Sequence, residues 1–368
     1  MNIGILCYPT YGGSGVIATE LGKALAVKGH TIHFISYNQP VRLDTFNENI
    51  FFHEVRFNNY PLFKFPPYET VLTSKIVDVV KNHNLDVLHV HYAIPHAAAA
   101  AMAKNILKKM GIKIKIVTTL HGTDITLVGK DKSFEPVVSH SLFESDVVTA
   151  VSNSLKNETH KYFNYDGEIN VVPNFIDFQR FNKQPKDHFK KMIAPNNEKV
   201  IIHTSNFRKV KRVFDVLEVF RKIAKEIPAK MLFIGDGPER NMLEKECMSC
   251  DMCKDITFLG KQEAVEEILS IADLFIIPSE TESFGLAALE AMACEVPVIS
   301  TNTGGLKEVN IDGVTGFTSD VGDTTKMAKD ALHILKEENL AQFKSLAKMH
   351  SLKYKLDTIL PIYERLYQ

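Results

Sequence analysis

The feature that most constrains the fold is a strand, a loop and a helix in immediate succession within residues 273–292. Residues 273–277 form an apolar run with the length of a buried parallel strand. Ser283 is a candidate N-cap, and residues 285–292 are good helix formers. Because parallel strands are joined by crossover helices, this succession predicts an α/β fold with parallel sheets.

The loop of this unit has the features of an anion site. The backbone N–H groups of Ser283, Phe284 and Gly285 are expected at the positive end of the helix, which suits an anionic ligand. Glu282 in the loop would compete with that anion, unless it binds hydroxyls of a ligand whose phosphate the amides hold. The alternative is that Glu282 and Glu290 are surface residues of an ordinary βα unit, and their spacing alone favours this alternative.

A glycine-rich loop lies near the start of the chain. An apolar strand at residues 2–8 is followed by Gly12-Gly13-Ser14-Gly15 and a helix predicted at about residues 16–28. This is the first βα turn of a doubly wound domain, without the G-x-G-x-x-G pattern of a dinucleotide site. Adjacent glycines let a ligand approach the backbone closely, although a tight turn with no ligand is equally compatible with them.

Similar apolar runs recur along the chain, and they indicate two domains. The polar residues 184–197 contain two prolines and are predicted as the interdomain linker, and the aromatic stretch 56–68 as a packed loop. The first domain is predicted at residues 1–180, joined by a C-terminal helix at 352–368, and the second at residues 181–351. The remaining predicted strands are 31–36, 51–55, 86–91, 113–120, 146–150, 169–172, 199–203, 230–234 and 296–300, and the remaining helices are 69–82, 93–103, 239–254 and 324–335.

Polar side chains follow several strands of the predicted first domain. Tyr92, Thr119 and His121 fall at the carboxyl ends of strands, where open α/β sheets bind their ligands. Together with the glycine loop and Asn206, Tyr92 and Thr119 would suit a small dicarboxylate. A lone histidine in this position is also often a structural hydrogen-bonding residue.

Two groups of residues have the types, but not the full pattern, of a metal site. His89 and His91 share a strand face and, with His121, would suggest a metal, yet no carboxylate ligand is evident. Three of the five cysteines form C-x2-C-x2-C within a predicted helix, without a fourth ligand. They are Cys247, Cys250 and Cys253. We therefore expect no metal and no cofactor.

A cluster of cations follows the strand at 199–203. Arg208, Lys209, Lys211 and Arg212 occupy four of five consecutive positions before an apolar-periodic helix. This is compatible with a solvated helix face. At the carboxyl end of a strand, however, bidentate arginine and point-charge lysine suit a diphosphate.

Length and charge set the remaining bounds. The chain has 368 residues, which is consistent with two domains, and a net charge of −1, which implies no broad surface for nucleic acid. Its start has no basic segment of a signal peptide, and no apolar run reaches 18 residues. We expect a cytoplasmic protein without stable membrane association, and a homo-oligomer is compatible with the sequence.

Three motifs together resemble the retaining glycosyltransferases of family 4. They are ESFGLAALEAMA from Glu282, HGTD from His121, and PNFID at residues 173–177. The resemblance covers most of the chain. It implies the GT-B fold, in which two Rossmann-like domains face a cleft, and a reaction that needs no metal.

The resemblance also implies roles for individual residues. Glu282 would lie near the donor sugar, Glu290 would bind the nucleotide ribose, and His121 would stabilise the transition state. Arg208 and Lys211 would neutralise the leaving nucleotide. The other implied donor contacts are Gly13, Ser14, Asn206, Lys261, Ser283, Phe284 and Gly285, and the implied acceptor contacts are Ser14, Tyr92, Thr119 and Asn206.

The likeness is strongest to the branch of the family that begins bacillithiol synthesis. It implies UDP-N-acetylglucosamine as the donor and L-malate as the acceptor, with an α-glycoside as the product. A family 4 transferase with a lipid-linked or polysaccharide acceptor is one alternative. A UDP-N-acetylglucosamine 2-epimerase is another, and a non-catalytic sugar-nucleotide sensor is a third.

The chain departs from the family pattern at the end of the helix predicted at 285–292. Glu295 stands where the family commonly has glycine, which would strain a left-handed cap, and Lys307 replaces a common proline. Neither residue touches the implied chemistry.

Overall fold

The computed structural model describes residues 1–10, 12–43, 47–57, 65, 67–127, 131–248 and 253–368. These residues form two compact units. The first comprises residues 1–174 and 357–368, and the second comprises residues 175–356. Each unit is built around one parallel sheet, as the sequence predicts. The α/β class with two Rossmann-like domains is therefore confirmed.

The first unit contains a seven-stranded sheet in the order β3-β2-β1-β4-β5-β6-β7. Its strands are β1 (Asn2–Leu6), β2 (Thr31–Ser36), β3 (Ile50–Glu54), β4 (Val87–His91), β5 (Lys115–Leu120), β6 (Val147–Ala150) and β7 (Ile169–Val171). Its helices are α1 (Gly13–Val27), α2 (Tyr68–His83), α3 (Ala98–Lys109), α4 (Glu135–Glu144) and α5 (Asn153–Tyr162). β1 pairs with both β2 and β4, and all five residues of β4 are buried, as expected of a central parallel strand covered on both faces.

The second unit contains a six-stranded sheet in the order β10-β9-β8-β11-β12-β13. Its strands are β8 (Lys199–Ser205), β9 (Ala229–Gly235), β10 (Ile256–Gly260), β11 (Leu274–Ile277), β12 (Val298–Thr301) and β13 (Gly316–Ser319). Its helices are α6 (Asp187–Ile193), α7 (Val213–Ala224), α8 (Arg240–Met248), α9 (Val265–Leu269), α10 (Leu286–Ala293), α11 (Leu306–Val309), α12 (Thr324–Leu335) and α13 (Glu337–Ser351). The apolar stripe of α7 packs on this sheet, with Val216 and Phe220 fully buried in one cluster with Met231.

The last helix, α14 (Leu356–Tyr367), ends the chain. Contacts group residues 357–368 with the first unit, where Tyr363 and Tyr367 are buried. The Tyr367 hydroxyl is 2.7 Å from Nδ1 of His89 on β4. The sequence predicted domain boundaries between residues 180 and 181 and between residues 351 and 352. Along the chain, the observed boundaries lie between residues 174 and 175 and between residues 356 and 357.

Several predicted elements differ from the observed ones. The proposed linker at 184–197 contains α6 and belongs to the second unit, because Lys190 of α6 forms an ion pair of 2.8 Å with the buried Asp273. The helix predicted at 93–103 is a π-helical turn at Ala93–Ala97 followed by α3. The loop predicted at 56–68 falls largely on residues outside those described, and α2 begins at its end.

The order of the strands locates a switch point in each sheet. The chain runs from β1 outward through β2 and β3, and then returns to the other side of β1 as β4. In the second unit it runs from β8 through β9 and β10, and returns beside β8 as β11. In open α/β sheets, ligands bind at the carboxyl ends of the two strands that flank such a point.

Candidate functional site

In the first unit, the segments after β1 and β4 meet at the switch point. Ser14, in the first turn of α1, and Tyr92, directly after β4, have their hydroxyl oxygens 2.8 Å apart. Tyr92 has a positive φ of +82°, an uncommon state for a residue with a large side chain. Two residues predicted to contact substrate therefore form one hydroxyl pair at the edge where a ligand is expected.

The glycine loop is more helical than the sequence predicts. α1 begins at Gly13 and not at about residue 16, so Gly13 and Ser14 belong to its first turn. A Cβ atom at Gly15 would lie 2.5 Å from the carbonyl oxygens of both Tyr8 and Thr10. Glycine is thus required at position 15 for close packing of α1 on the chain that leaves β1. Tyr11 lies outside the described residues.

A network of histidines lies beneath this hydroxyl pair. Nδ1 of His91 is 2.8 Å from Nε2 of His121, and the ring of Tyr92 packs on that of His121 at 5.4 Å. His89 stacks on His91 at 4.4 Å. His89 and His91 lie on one face of β4, as the sequence indicated, and the facing nitrogens of His91 and His121 are within hydrogen-bond distance of each other.

Burial keeps these imidazoles neutral. It lowers the pKa of His89 to about 3 and that of His121 to about 3, and it lowers the pKa of His91 well below its usual range. Nε2 of His91 is buried and has no hydrogen-bond partner among the described residues. At neutral pH, His121 can therefore act as a hydrogen-bond donor or acceptor but carries no positive charge.

Asp124 fixes the loop that carries His121. Its carboxylate accepts hydrogen bonds from the backbone N–H groups of Ala93, at 2.8 Å, and Gly122, at 3.0 Å. Burial raises the pKa of Asp124 to about 6, against the effect of those backbone N–H groups. Asp124 thus ties the segment after β5 to the segment after β4. No role was predicted for it, although it is the last residue of the HGTD motif.

The predicted role of Thr119 as a direct acceptor contact does not fit this geometry. Thr119 is 0% exposed, and its hydroxyl lies 2.7 Å from both Nε2 of His89 and the hydroxyl of Thr149. The alternation of β5 places this side chain on the sheet face that also carries His89. Its geometry suits a residue that positions His89.

In the second unit, an ion pair spans the switch point. Nζ of Lys211, in the turn after β8, is 2.5 Å from Oε2 of Glu282, in the loop after β11. The side chains of Lys211 and Glu282 remain 20% and 16% exposed, so both stay accessible to a ligand. The structure therefore brings together two residues that lie 71 positions apart in sequence and that received separate roles in donor binding.

The remaining cations after β8 differ in their surroundings. Arg208 is exposed and forms no ion pair within the described residues, whereas Arg212 is paired with Asp215 at 2.6 Å. Lys209 is also exposed, and Asn206 leaves the strand as an exposed residue. Arg208 and Lys209 are thus cations of this turn without an ion pair among the described residues, and the planar guanidinium of Arg208 suits its predicted role at a diphosphate.

The loop between β11 and α10 corrects one detail of the sequence interpretation. Ser283 is not the N-cap, because α10 begins at Leu286 and is preceded by Gly285 with φ of +97°. The first amide to bond back into the helix is that of Leu289, to the Gly285 carbonyl at 3.1 Å. The amides at the positive helix end are those of residues 286–288, three positions later than predicted.

The glycines after β12 pack on this loop. The amide of Gly305 donates to the carbonyl of Glu282 at 2.8 Å, and a Cβ at Gly304 would collide with the same carbonyl oxygen. Phe284 is buried, with its ring 5.7 Å from that of Tyr354 in an edge-on arrangement. The backbone of Glu282 is therefore held between two elements, and the buried Phe284 can offer a ligand only its backbone.

Two other predicted contacts take different positions. Glu290 lies on α10 and is partly exposed, whereas Lys261 directly follows β10 and is exposed.

The cysteine pattern does not form one helical row. α8 ends at Met248, and Cys253 lies in a separate 3-10 turn, where its thiol donates to the Cys247 carbonyl at 2.6 Å. Cys250 lies outside the described residues.

Comparison with known proteins agrees with this architecture. The family profile described as Glycosyltransferase Family 4 matches residues 11–180, and that described as Glycosyl transferases group 1 matches residues 184–350. The chain is 50% identical, over 92% of its length and 89% of the relative's, to a protein from Bacillus anthracis. The chain therefore belongs to the family 4 glycosyltransferases.

That Bacillus anthracis relative is N-acetyl-alpha-D-glucosaminyl L-malate synthase. Among solved structures, HepE from Anabaena in complex with UDP and glucose has a TM-score of 0.83 at 19% identity, covering 100% of this chain and 99% of that one. A glycosyltransferase from Rickettsia africae has a TM-score of 0.82 at 21% identity, covering 100% and 97%. These two likenesses show the fold. Within the described residues, no helix combines the length and apolar character needed to cross a bilayer.

Proposed function

We propose that this glycosyltransferase moves N-acetylglucosamine from UDP-N-acetylglucosamine to the hydroxyl of L-malate and retains the configuration of the sugar. The observation that carries the choice of substrates is the 50% identity, over 92% of the chain, to a protein that bears the name of this reaction's product. The reaction class is supported independently by the charged groups at the switch point of the second unit.

The second unit supplies the donor-side groups. Arg208 and Lys211 bind the diphosphate, through a planar guanidinium and a point charge. Glu290 binds the ribose hydroxyls, and the backbone near Lys261 holds the base. The amides at the start of α10 stabilise a phosphate of the donor. Asn206, Ser283, Phe284 and Gly285 remain proposed contacts to substrate.

The ion pair between Lys211 and Glu282 gives donor binding an order of events. A diphosphate carries more charge than one carboxylate, so it competes with Glu282 for the Lys211 ammonium. Once Lys211 turns to the phosphate, the Glu282 carboxylate is free to accept hydrogen bonds from sugar hydroxyls. The same two residues thus neutralise each other before binding and hold two parts of one ligand afterwards.

The first unit supplies the acceptor-side groups. The hydroxyl pair of Ser14 and Tyr92 can donate to a carboxylate of L-malate, with Gly13 allowing close approach. Neutral His121 beside Tyr92 stabilises the reacting sugar by a hydrogen bond and does not act as a charged acid.

The proposed reaction proceeds on one face of the sugar. The bond between the anomeric carbon and the β-phosphate oxygen breaks as the malate hydroxyl oxygen bonds to the same carbon. The hydroxyl proton passes to a β-phosphate oxygen of the departing UDP. Arg208 and Lys211 stabilise the charge that develops there, a form of catalysis that needs fixed positive groups and, in this proposal, no metal or cofactor.

The test is an incubation with UDP-N-acetylglucosamine and a panel of hydroxy acids, namely L-malate, D-malate, L-lactate and citrate. We expect a conjugate with L-malate, one equivalent of UDP, and an α-anomeric proton coupling in the NMR spectrum. A β coupling would contradict retention alone. Absence of any conjugate with L-malate would contradict the proposed acceptor.

The same incubation separates the alternatives. UDP-N-acetylmannosamine formed without acceptor would identify an epimerase, and transfer only to a lipid-linked or polysaccharide sugar would identify another family 4 transferase. A cytoplasmic location, expected from the sequence, and a homo-oligomer, which is compatible with the sequence, complete the proposal and are tested by fractionation and by light scattering.

A further inference from the structure

Three imidazoles and a phenyl ring cluster on one face of β2 and β3, the two strands at one edge of the first sheet. In the parallel pairing of β2 with β3, His33 lies opposite Phe51, and His53 is two residues further along β3. Strand alternation places these three side chains on the same face. His83, the last residue of α2, covers them, with its ring 4.6 Å from that of His33 and 4.9 Å from that of His53.

The nitrogens of these rings converge. One ring nitrogen from each of His33, His53 and His83 lies within 4.8 Å of the other two. The shortest separation is 2.9 Å, between Nδ1 of His33 and Nε2 of His53. None of these residues belongs to the candidate glycosyltransferase site.

We propose that His33, His53 and His83 form a binding site for a transition-metal dication of the zinc class, with water as the fourth ligand. Imidazole nitrogen is a preferred ligand of such ions, and three histidines with one open position are a recurrent zinc arrangement. His33 is buried, which fixes the base of the site, whereas His53 and His83 are half-buried and leave an opening for the ion and its water.

The rearrangement that the ion requires is small. Zinc–nitrogen bonds of about 2.0–2.1 Å in a tetrahedron place the nitrogens about 3.3 Å apart. His33 and His53 must separate by a few tenths of an ångström, and His83 must move inward by about 1.5 Å at most, from the 4.8 Å limit. These are shifts of side-chain torsions, and the backbone can stay in place.

The protonation states also suit a metal. Burial, and secondarily the neighbouring imidazoles, lowers the pKa of His33 to about 4, and burial also lowers that of His53 to about 4. Both rings are therefore neutral near pH 7. On binding, the proton between His33 and His53 moves to the other nitrogen of the ring that donated it, so no net proton is released.

Two charges nearby act in opposite directions. His83 lies at the C-terminal end of α2, where the helix dipole favours a cation. Lys75 lies on α2 about two helical turns before His83. Its positive charge contributes to the lowered pKa of His53, and the same charge opposes a dication. Removing the Lys75 charge should therefore tighten metal binding.

The experiment uses the full-length protein without an affinity tag, stripped with a chelator. Zinc is titrated calorimetrically, and cobalt is titrated by visible absorption, since its d–d bands report tetrahedral geometry. We expect one ion per chain, and at least tenfold weaker binding in His53→Gln and in His83→Gln. Lys75→Gln should bind severalfold more tightly. His140→Gln, which removes an exposed histidine on α4, is the matched control and should bind as the parent does.

Thermal unfolding supplies a second measurement. Zinc should raise the unfolding midpoint of the parent and of His140→Gln, and should leave the midpoint of the double variant His53→Gln/His83→Gln unchanged. If the double variant binds zinc as tightly as the parent, or if cobalt shows only octahedral bands, the proposal is overturned. The same holds if the substitutions lower stability in chelator without changing zinc affinity, because the cluster is then only packing.

Discussion

The two units follow the same strand order around their switch points, but the groups at those points differ: they are neutral in the first unit and charged in the second. In the first unit, the residues below the ligand edge are neutral imidazoles and hydroxyls, as in the pair of His91 and His121 at 2.8 Å. In the second unit, the corresponding edge holds full charges, as in the pair of Lys211 and Glu282 at 2.5 Å. One scaffold thus provides a neutral polar surface and a charged one. The first suits a hydrogen-bonded acceptor, and the second suits a diphosphate donor.

The same contrast extends to buried ionisable groups. The second unit neutralises the buried carboxylate of Asp273 with Lys190 and Lys344, each at 2.8 Å. Burial by itself raises the pKa of Asp273, but the two lysines outweigh burial and lower it. Within the described residues of the first unit, Asp124 has no cation beside it and accepts hydrogen bonds from backbone amides, and burial raises its pKa to about 6. These two solutions respond differently to pH.

The largest expected effect is a loss of folding stability in the first unit in mild acid. His89, His91, His96 and His121 are fully buried there, with pKa values lowered to about 3 for His89 and His121 and about 4 for His96. The unfolded chain binds protons below about pH 6.5 while the folded unit does not. Stability therefore falls as pH drops from 6.5 towards 4, by about 1 kcal/mol per pH unit for each such histidine.

Two buried carboxylates, Asp124 and Asp273, also affect how stability changes with pH. Protonation of Asp124 becomes favourable in the folded unit as pH falls through about 6, which offsets about one histidine. The second unit has one fully buried histidine of this kind among the described residues, His203, with a pKa lowered to about 4. Its Asp273 has a lowered pKa, so that its contribution persists until the pH falls below about 4.

Hydrogen exchange at pH 7.5 and pH 5.0, corrected for intrinsic rates, measures the difference. Peptides from β4 and β5 should lose protection at pH 5.0, while those from β8 and β11 should lose far less. Equal loss in both sheets would remove the electrostatic contrast between the units.

The second effect concerns turnover. Lys211→Ala should lower kcat by about 10²–10³-fold, because a fixed positive group is lost where the leaving phosphate gains charge. Lys209→Ala is the matched control, since Lys209 lies in the same turn, is exposed, and forms no ion pair within the described part of the chain. Its kcat should stay within about twofold of the parent's, as usual for surface substitutions.

Initial rates with UDP-N-acetylglucosamine and L-malate provide the measurement. Equal losses in the two variants would mean that the cations act as a diffuse positive surface and not through Lys211. Glu282→Gln should raise KM for the donor, since the carboxylate that would grip the sugar is lost. An unchanged KM would remove that role.

Sequence patterns predicted the strands of the first sheet and the four central strands of the second, because buried parallel strands are continuous apolar runs. The two edge strands of the second sheet, β10 and β13, are partly exposed and were not predicted. Sequence patterns could not predict where side chains on different strands meet. The contact of Ser14 with Tyr92, and that of Lys211 with Glu282, depends on strand order, which local periodicity does not encode. The buried state of Thr119 was missed for the same reason, since position at a strand end does not reveal which face is covered.

Helix starts were the weaker part of the local prediction. Ser283 has the side chain of an N-cap, yet Gly285 precedes α10, because a left-handed residue is needed where the loop packs on Leu306. α1 begins at Gly13 although its first turn is glycine-rich, since close packing on the carbonyls of Tyr8 and Thr10 outweighs the low helix propensity of glycine.

The smallest predicted effect tests the ends of helices in the two units. α1 and α3 end with Gly29 and Gly111 in left-handed conformations, with φ of +88° and +77°. α10 ends in the same hydrogen-bond pattern, but Glu295 holds the left-handed position with φ of +62°, the conformation that the sequence predicted for this cap. A left-handed residue with a Cβ costs about 1–2 kcal/mol. Glu295→Gly removes this cost. Part of the resulting gain in stability is lost, because glycine gives the unfolded chain more conformational freedom, by up to about 1 kcal/mol.

Glu295→Gly should therefore stabilise the second unit by about 0.5–1 kcal/mol, which is the relieved left-handed strain less the entropic cost of ordering a glycine. The control is Glu295→Ala, which also removes the ion pair with Lys183 at 3.5 Å but keeps the strained backbone. Because an exposed ion pair contributes about 0–1 kcal/mol, Glu295→Ala should be neutral or slightly destabilising. Urea unfolding followed by hydrogen exchange in β11 and β12 gives both values. If the glycine and alanine variants prove equally stable, the left-handed conformation of Glu295 carries no measurable cost, and the helix ends of the two units are energetically equivalent.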